Sequence, residues 1–600
     1  MHIARLQIRN FRNLPNVDVP LDRNVVILGE NRVGKSNLLH AMRLVLDASL
    51  PDSARYLKLS DFWDGLSAGE REAGPTIEVH IDFGDFDGSP AVAALLTDYR
   101  LAADHTVARL SYVFRKKHGA GKSPTESDYE FKIFGGGVET RGLSPDLRRR
   151  ICLDVLPALR DAESELATWR GSPLRPLIDD AISKVDTANL NKVSTQINAA
   201  TASLTGLKPI EDLERNLRAQ MVALAGDHHD IKAKFGFAST DPLRLFRSIK
   251  LLIDEGLRTI GEASLGSANL ALLTLRLAEF EWRRTKNERN FTIVAVEEPE
   301  AHLHPHLQRK VFSALFAEQQ AEGEEITRSL ILTTHSPSIA SVAPIRSLVH
   351  LRDTGESSAG AYSVAKLPLS KEDLDDLERY LDATRADMLF ARGIIFVEGD
   401  AESELIPIFA ETMGHHLDEL GVSVCSVGGT NFAPYAKLAA ALHIPFVIIT
   451  DWDMNKEGMS VGWRRALTLV PLIRSADGRA PLEPPVIEQM TKDVGELHKR
   501  AKEHGIYLNG STLETEIANT PNLLQPLLGV LAKQDFGLVL TARVTDWQQT
   551  PANLDPHQLM LMIGYVSKGR FATQLGEALK GLAPPAYITD AIKDLLGKLE

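Results

Sequence analysis

Cysteine is almost missing from this chain. Of 600 residues only Cys152 and Cys425 are cysteine, far apart and without C-x-x-C spacing. That excludes a disulfide framework and a thiolate metal site, and both read as small buried apolar residues. Long apolar runs are missing as well. No stretch approaches the about 18 consecutive apolar residues of a membrane-spanning helix. Residues Met1 to Asn13 alternate apolar and polar positions with scattered arginine and have no apolar signal-peptide core. A cytoplasmic location is the expectation. Positive charge is in deficit, with a formal net charge of −13. That weighs against a protein that coats DNA by general electrostatics. It does not weigh against a nuclease, because carboxylates that bind divalent cations add negative formal charge. DNA contact then falls to local basic patches.

What is present is an ordinary globular composition, 44% apolar and 24% charged. The length suggests roughly two to four domains. Residues 3–9 (Ile3, Leu6, Ile8) and 24–28 read as strands, with a turn-like Asn10-Phe-Arg-Asn13 between them and a helix from about Ser36 to Asp47. Residues 76–83 and 108–114 alternate as half-buried strands do. From about 145 to 260 strand signals fade and apolar residues recur at helical spacing, as in Ile210, Leu213, Leu217, Met221 and Leu224. This predicts a helical insertion used for packing or dimerisation. Two runs rich in Ile, Val and Leu, Phe291–Val296 and Ser329–Thr333, read as buried parallel strands. The acidic segment 354–387 reads as a linker. A second α/β unit begins near 388, with strands at Gly393–Val397, Val422–Val427 and Pro445–Thr450 alternating with helices, the pattern of a parallel sheet. The expected domains are 1–145, 146–260, 261–387 and 388–600. No internal repeat or low-complexity tract is present.

Gly29-Glu-Asn-Arg-Val-Gly34-Lys35-Ser36 fits GxxxxGK[ST] between a strand and a helix. The glycines let backbone N–H groups wrap phosphates, Lys35 reaches the β- and γ-phosphates, and Ser36 offers a hydroxyl to Mg²⁺. Gly29, Asn31, Gly34, Lys35, Ser36 and Asn37 are the candidate ATP contacts of this loop. About 260 residues later, Phe291-Thr-Ile-Val-Ala-Val-Glu297-Glu298-Pro299-Glu300 ends an apolar strand in carboxylates. Glu297 suits Mg²⁺, and Glu298 suits the polarisation of an attacking water. Leu330-Ile-Leu-Thr-Thr334-His335 brings a histidine to the same sheet edge, where it could meet the γ-phosphate.

These residues, with Ile8-Arg-Asn-Phe11-Arg-Asn13, resemble the ABC ATPase superfamily, in the branch shared with SMC and RecF-like proteins. The resemblance implies a signature motif that closes over ATP bound by a second subunit. Ser264-Leu-Gly266-Ser-Ala-Asn269 is its best match, with Ser264 and Gly266 as the candidate contacts. One departure stands out: no glutamine occurs between Gln7 and Gln196. The usual Q-loop residue is missing, so another group senses the γ-phosphate or hydrolysis is slow.

Residues 394–402, Ile-Ile-Phe-Val-Glu398-Gly399-Asp-Ala-Glu402, place one glutamate at a strand end and another in the next helix. Residues 446–453, Phe-Val-Ile-Ile-Thr-Asp451-Trp-Asp453, place two aspartates at another strand end. Ligands gather at the carboxyl ends of parallel strands. Four carboxylates there repel unless cations sit between them, and all-oxygen ligands select Mg²⁺ or Mn²⁺ over zinc. Two such ions about 3.5–4 Å apart clamp the attacking and leaving oxygens of a phosphodiester. This pattern, with Gly428-Gly429, resembles the TOPRIM domain.

An ATPase followed by TOPRIM resembles the OLD (overcoming lysogenization defect) family of nucleases, which includes the Gabija defence nuclease. The resemblance covers roughly residues 1–580. It implies that Ser511-Thr-Leu-Glu514 completes the metal site through Glu514, with Glu516 as a substitute, and that Lys568 stabilises charge at the scissile phosphate. It further implies a homodimer or larger oligomer, DNA as substrate, control by ATP and a UvrD-like helicase as partner. Arg115-Lys-Lys117, Arg148-Arg-Arg150, Trp463-Arg-Arg465 and Lys499-Arg500 with Lys502 are candidate DNA contacts, the third ranked first for its closeness to Asp453. Two other readings stand beside this one. A RecF-like or SMC-like clamp would not cleave. The other is a TOPRIM topoisomerase or primase, and cleavage-religation by the former needs a nucleophilic tyrosine, for which Tyr435, Tyr507 and Tyr565 are the nearby choices.

Overall fold

The N-terminal alternation folds as an antiparallel sheet in the computed structural model, which describes residues 1–119, 124–157, 172–225, 234–235, 246, 249–317, 327–355, 357–453, 460–476 and 478–599. The strands are β1 (His2–Phe11), β2 (Leu14–Pro20), β4 (Ile77–Gly84), β5 (Ala108–Lys116), β6 (Tyr129–Gly135) and β7 (Val138–Gly142), in the order β2-β1-β4-β5-β6-β7. A register shift between Ile3 and Arg5 resets the alternation of β1, so Ile3, Leu6 and Ile8 are all buried.

A second sheet has the order β14-β13-β3-β12-β11-β8. It contains β3 (Val25–Gly29), β8 (Ile151–Leu156), β11 (Phe291–Glu297), β12 (Arg328–Thr333), β13 (Leu348–Gly355) and β14 (Ser358–Ser363). All neighbours pair in parallel except β14, which runs against β13. Burial on both faces explains the unbroken apolar run of β3, every residue of which is buried. The helix Lys35–Leu46 shares one core with the two sheets through Leu38, Met42 and Val45.

Two sequence expectations change here. The helical stretch expected from about 145 opens with a short helix, Pro145–Arg150, but continues as β8, an edge strand paired with β11. Its Ile-Cys-Leu-Asp-Val-Leu run is short and apolar, which periodicity cannot separate from a buried helix turn. The acidic segment read as a linker is structured. It forms β14 and the helix Lys371–Tyr380, whose Ser370 cap and Asp373–Lys437 ion pair at 2.6 Å hold it in place.

A third, all-parallel sheet has the order β16-β15-β17-β18, from β15 (Gly393–Val397), β16 (Val422–Ser426), β17 (Phe446–Thr450) and β18 (Ile506–Leu508). β15 and β17 are wholly buried. Helices from 513 to 597 pack onto it around Leu523, Leu527, Trp547 and Phe571.

The chain divides into two compact units. Residues 1–156, 291–300 and 304–600 form one, holding all three sheets. Residues 157–290 and 301–303 form the other. Its described part contains the helices Leu174–Ser183, Thr187–Thr205, Lys208–Ala225 and Leu265–Thr285, with a short ribbon of β9 (Leu252–Ile253) and β10 (Arg258–Thr259). Leu213 and Leu217, on the apolar stripe noted in the sequence, are exposed at 49% and 40%. The side chain of Leu224 lies outside the described residues. No helix among the described residues is long and apolar enough to cross a membrane. Both cysteines are buried, and neither is in a disulfide.

Candidate nucleotide site and carboxylate centre

The P-loop leaves β3 at Gly29 and enters its helix at Gly34, both at positive φ. A Cβ on Gly29 would meet the Leu351 carbonyl oxygen at 2.4 Å, and one on Gly34 the Asn13 amide at 2.6 Å. The helix has no side-chain cap, so its first N–H groups face the loop unfilled. Lys35 folds inward and donates to the carbonyls of Gly29 (2.8 Å) and Glu30 (2.9 Å). Burial lowers its pKa to about 8, against the pull of Glu298, Glu300 and Glu30. Asn31 and Ser36 are exposed on the loop.

The turn-like Arg12-Asn13 turns out to brace this loop. Asn13 donates to Val33 O (2.8 Å) and accepts from Asn37 (2.8 Å), while Arg12 bonds Asn37 (2.8 Å) and Asp61 (2.9 Å). Asn37, a candidate nucleotide contact, is therefore engaged in the brace.

Glu297 ends β11 with Oε2 at 3.5 Å from the Ser36 hydroxyl. Glu298 follows in the left-handed region, and its N–H donates to Thr333 O at 2.8 Å. Its charge is felt by both Lys35 and His335. Burial, then Lys35, lowers the pKa of His335, which favours the neutral ring. Glu300 was quoted in the sequence without a role. It accepts from His335 N (2.7 Å) and Thr334 Oγ1 (2.8 Å), tying the ends of β11 and β12 together. Gln308 accepts from Ser336 Oγ at 2.5 Å. Ser264 and Gly266 lie in the second unit. Ser264 caps the helix Leu265–Thr285, and a Cβ on Gly266 would strike the His302 carbonyl oxygen at 2.5 Å.

Glu398 follows β15, and Asp451 and Asp453 follow β17. Each offers one carboxylate oxygen, and the three oxygens lie within 4.8 Å of one another. Asp451 is 8% exposed. Burial first, then the charges of Glu398 and Glu402, pushes its pKa up to about 8. Burial also raises Asp453 and Glu402, helped at Asp453 by Glu398 and at Glu402 by Glu514. Glu402 stands in the first turn of the helix Asp400–Thr412. Glu514, in the helix Leu513–Asn519, is buried, and among the described residues nothing hydrogen-bonds its Oε2. Lys568 Nζ lies 3.3 Å from its other oxygen, Oε1. Burial opposes the charge of Lys568, but Glu514, Asp451 and Glu402 outweigh it and raise its pKa. Glu516 instead accepts from Gly510 N at 2.9 Å and closes a turn.

Two partners of the centre were not identified from sequence. Arg465, ranked first among DNA-contact candidates with Trp463 and Arg464, is buried and donates to Glu398 Oε1 and Thr450 Oγ1. Its helix, Val461–Ala476, comes so close that a Cβ on Gly462 would meet the Asp451 carbonyl oxygen at 2.5 Å. Asn509 donates to Asp451 Oδ1 at 2.5 Å. Its position right after β18 is the signal that could have found it, since ligands and their supports gather at such strand ends. Other basic candidates are paired: Arg115 with Glu139, Arg500 with Glu496 and Lys502 with Asp590. Tyr435 and Tyr507 are buried, whereas Tyr565 is 77% exposed.

Residues 389–453 match the family model for the TOPRIM domain of overcoming lysogenization defect protein-like proteins, a span that contains Glu398, Asp451 and Asp453. Residues 1–90 and 159–340 match an AAA ATPase domain. The OLD nuclease of Thermus scotoductus is 25% identical over 464 residues, 75% of this chain and 82% of that protein. The endonuclease GajA of Bacillus cereus strain VD045 is 21% identical over 491 residues, 78% of this chain and 79% of that one. The C-terminal region of the Burkholderia pseudomallei OLD protein is 35% identical, with 35% of this chain and 100% of that chain covered at a TM-score of 0.30. With an ATPase domain and an OLD-like TOPRIM domain in one polypeptide, the chain belongs to the OLD family.

Proposed function

We propose that this chain is a nucleotide-controlled endonuclease that nicks or cuts duplex DNA with Mg²⁺ or Mn²⁺. The observation that carries the reading is the convergence of Glu398, Asp451 and Asp453 at parallel-strand ends. Burial first, then the charges of Glu398 and Glu402, raises the pKa of Asp451, a penalty on its charged form that a bound cation would relieve. The unpartnered Glu514 Oε2 fits the same demand. Glu398, Asp451 and Asp453 would hold the cations, with Glu402 and Glu514 completing the set. Two divalent cations supply charge stabilisation to the attacking and leaving oxygens of a phosphodiester. Lys568 keeps its positive charge among these carboxylates and can bind the scissile phosphate.

At the other site, the P-loop N–H groups and Lys35 would bind the phosphates, and Ser36 with Glu297 would hold the nucleotide's Mg²⁺. Glu298 orients an attacking water, and His335 meets the γ-phosphate. Ser264 and Gly266 would serve ATP held by a second copy, and the exposed Leu213 and Leu217 support a homodimer. The absence of a Q-loop glutamine favours slow hydrolysis and a sensing role. Likeness to the Gabija nuclease extends the proposal to phage defence or DNA processing, with a UvrD-like helicase as partner. Burial of Tyr435 and Tyr507 speaks against either as a nucleophile, though not against the exposed Tyr565.

Supercoiled plasmid, incubated with the protein and Mn²⁺ or Mg²⁺, with and without ATP, tests this. Wild type should yield open circles and Asp451→Ala none. Equal nicking by Asp451→Ala, or none by wild type, overturns the nuclease and favours the clamp. The nucleotide effect should vanish in Lys35→Ala, and a wild-type rate indifferent to ATP overturns nucleotide control.

A further inference from the structure

The carboxylates of the centre are not equally free. Glu398 Oε1 accepts from Thr450 Oγ1 at 2.5 Å, from Asp451 N at 2.9 Å and from Arg465 Nη1. A carboxylate oxygen has about two lone-pair sites, so three donors fill it. Among the described residues no donor reaches Oε2. Asp451 shows the same division: Asn509 Nδ2 donates to Oδ1 at 2.5 Å, and among the described residues no donor reaches Oδ2. The orientation of the Asn509 amide is fixed independently. Its Oδ1 accepts from Trp452 N at 2.8 Å and Ser511 N at 3.1 Å, which turns Nδ2 toward Asp451. Arg465 and Asn509 are both nine-tenths buried or more, which shields both donors from bulk water.

We propose that Arg465 and Asn509 are positioning residues that hold Glu398 and Asp451 as one-oxygen ligands, and so make the centre selective for a small octahedral cation over calcium. This rests on the metal-dependent reading above. Calcium takes six to eight oxygens at about 2.3–2.6 Å and favours carboxylates that give both oxygens. Magnesium demands six ligands at about 2.0–2.1 Å and keeps several waters, a requirement that single-oxygen ligands satisfy. Manganese takes the same hard oxygen ligands. With Glu398 Oε1 filled and Asp451 Oδ1 tethered, neither group can rotate to chelate. Among the described residues no hydrogen-bond donor tethers the Asp453 carboxylate, so Glu398 and Asp451 carry the discrimination.

The test is calorimetric titration of the full chain with Mn²⁺ or Ca²⁺, without DNA or nucleotide. Asp451→Asn serves to subtract binding elsewhere. Wild type should bind Mn²⁺ at least about tenfold more tightly than Ca²⁺. In Arg465→Lys and Asn509→Ser the Mn²⁺ affinity should fall about tenfold or more, the size of effect expected from removing a partner behind a metal ligand. Ca²⁺ affinity should hold or rise. Bound Mn²⁺ should give a narrow six-line paramagnetic resonance spectrum in wild type and a broadened one in the variants, a change that loss of stability alone would not produce. Equal wild-type affinities for the two ions overturn the proposal whether or not the variants fold, as does an unchanged ratio in variants that melt cooperatively. No Mn²⁺ binding by wild type would remove the metal-dependent reading with it, whereas binding without preference removes this inference alone.

Discussion

At the residue scale the sharpest consequence concerns Asp451. Its pKa rises from the ordinary 3.8 to about 8, by burial first and then by Glu398 and Glu402. Between those values the native chain holds a proton that the unfolded chain has released. Stability of the cation-free protein therefore falls as pH rises through that window. A cation must displace this proton, so its affinity should climb with pH and level off above about 8. Asp453 and Glu402, also raised, steepen the same slope. Mn²⁺ calorimetry between about pH 6 and about pH 9, in two buffers of different ionisation heat, checks both the slope and the proton release. Affinity that is flat across this range would contradict the electrostatic account of the centre.

At the scale of elements, the P-loop depends on one contact pair. Gly34 sits at φ 107° with the Asn13 amide against it. Gly34→Ala adds backbone strain of about 1–3 kcal/mol and a clash with a brace held at both ends. Nucleotide affinity should drop about ten- to hundredfold, read with a fluorescent ATP analogue, while Mn²⁺ binding at the carboxylate centre stays at its wild-type value. Undiminished nucleotide binding would mean that phosphates are held elsewhere. The loop itself was legible in the sequence because glycines, lysine and serine at fixed spacing have one physical use. Asp451 and Asp453 were legible for a similar reason, as carboxylates behind a buried strand. The brace was not, since Arg12 and Asn13 act through partners 20 to 49 residues away. Arg465 was misread because a Trp-Arg-Arg string looks the same whether its second arginine faces solvent or turns inward to Glu398. β8 was missed because its six residues fit a helix turn as well as a strand, and only pairing with β11 decides.

At the scale of the whole molecule, β13 links the nucleotide site to the strand that carries Asp451. One edge of β13 pairs with β3, in register from Leu348–Val26 to Leu351–Gly29. Its side chains reach the loop that leads into β17. Arg352 donates to His443 O at 2.7 Å, and the His350 ring, at 3.2 Å from Leu442 O, is buried with its pKa lowered to about 4. Neutral at ordinary pH, it can donate from Nδ1. Tyr362 of β14 stacks on His443 at 4.0 Å. Phosphate binding must draw Lys35 off the carbonyls of Gly29 and Glu30, beside the very residue that pairs with Leu351. A shift there has a short, hydrogen-bonded route to residues 442–445 and from them to β17. Coupling of about 1–3 kcal/mol, five- to 150-fold in affinity, is the usual range for two linked sites. Arg352→Ala removes a donor to His443 and touches neither site. It should nick plasmid at the wild-type rate without nucleotide and lose most of the response to ATP. By reciprocity it should also lose any effect of nucleotide on Mn²⁺ affinity. A full nucleotide response in Arg352→Ala would exclude this strand as the route and direct the search to the Glu30–Arg392 pair, whose ends stand 3.7 Å apart beside β15.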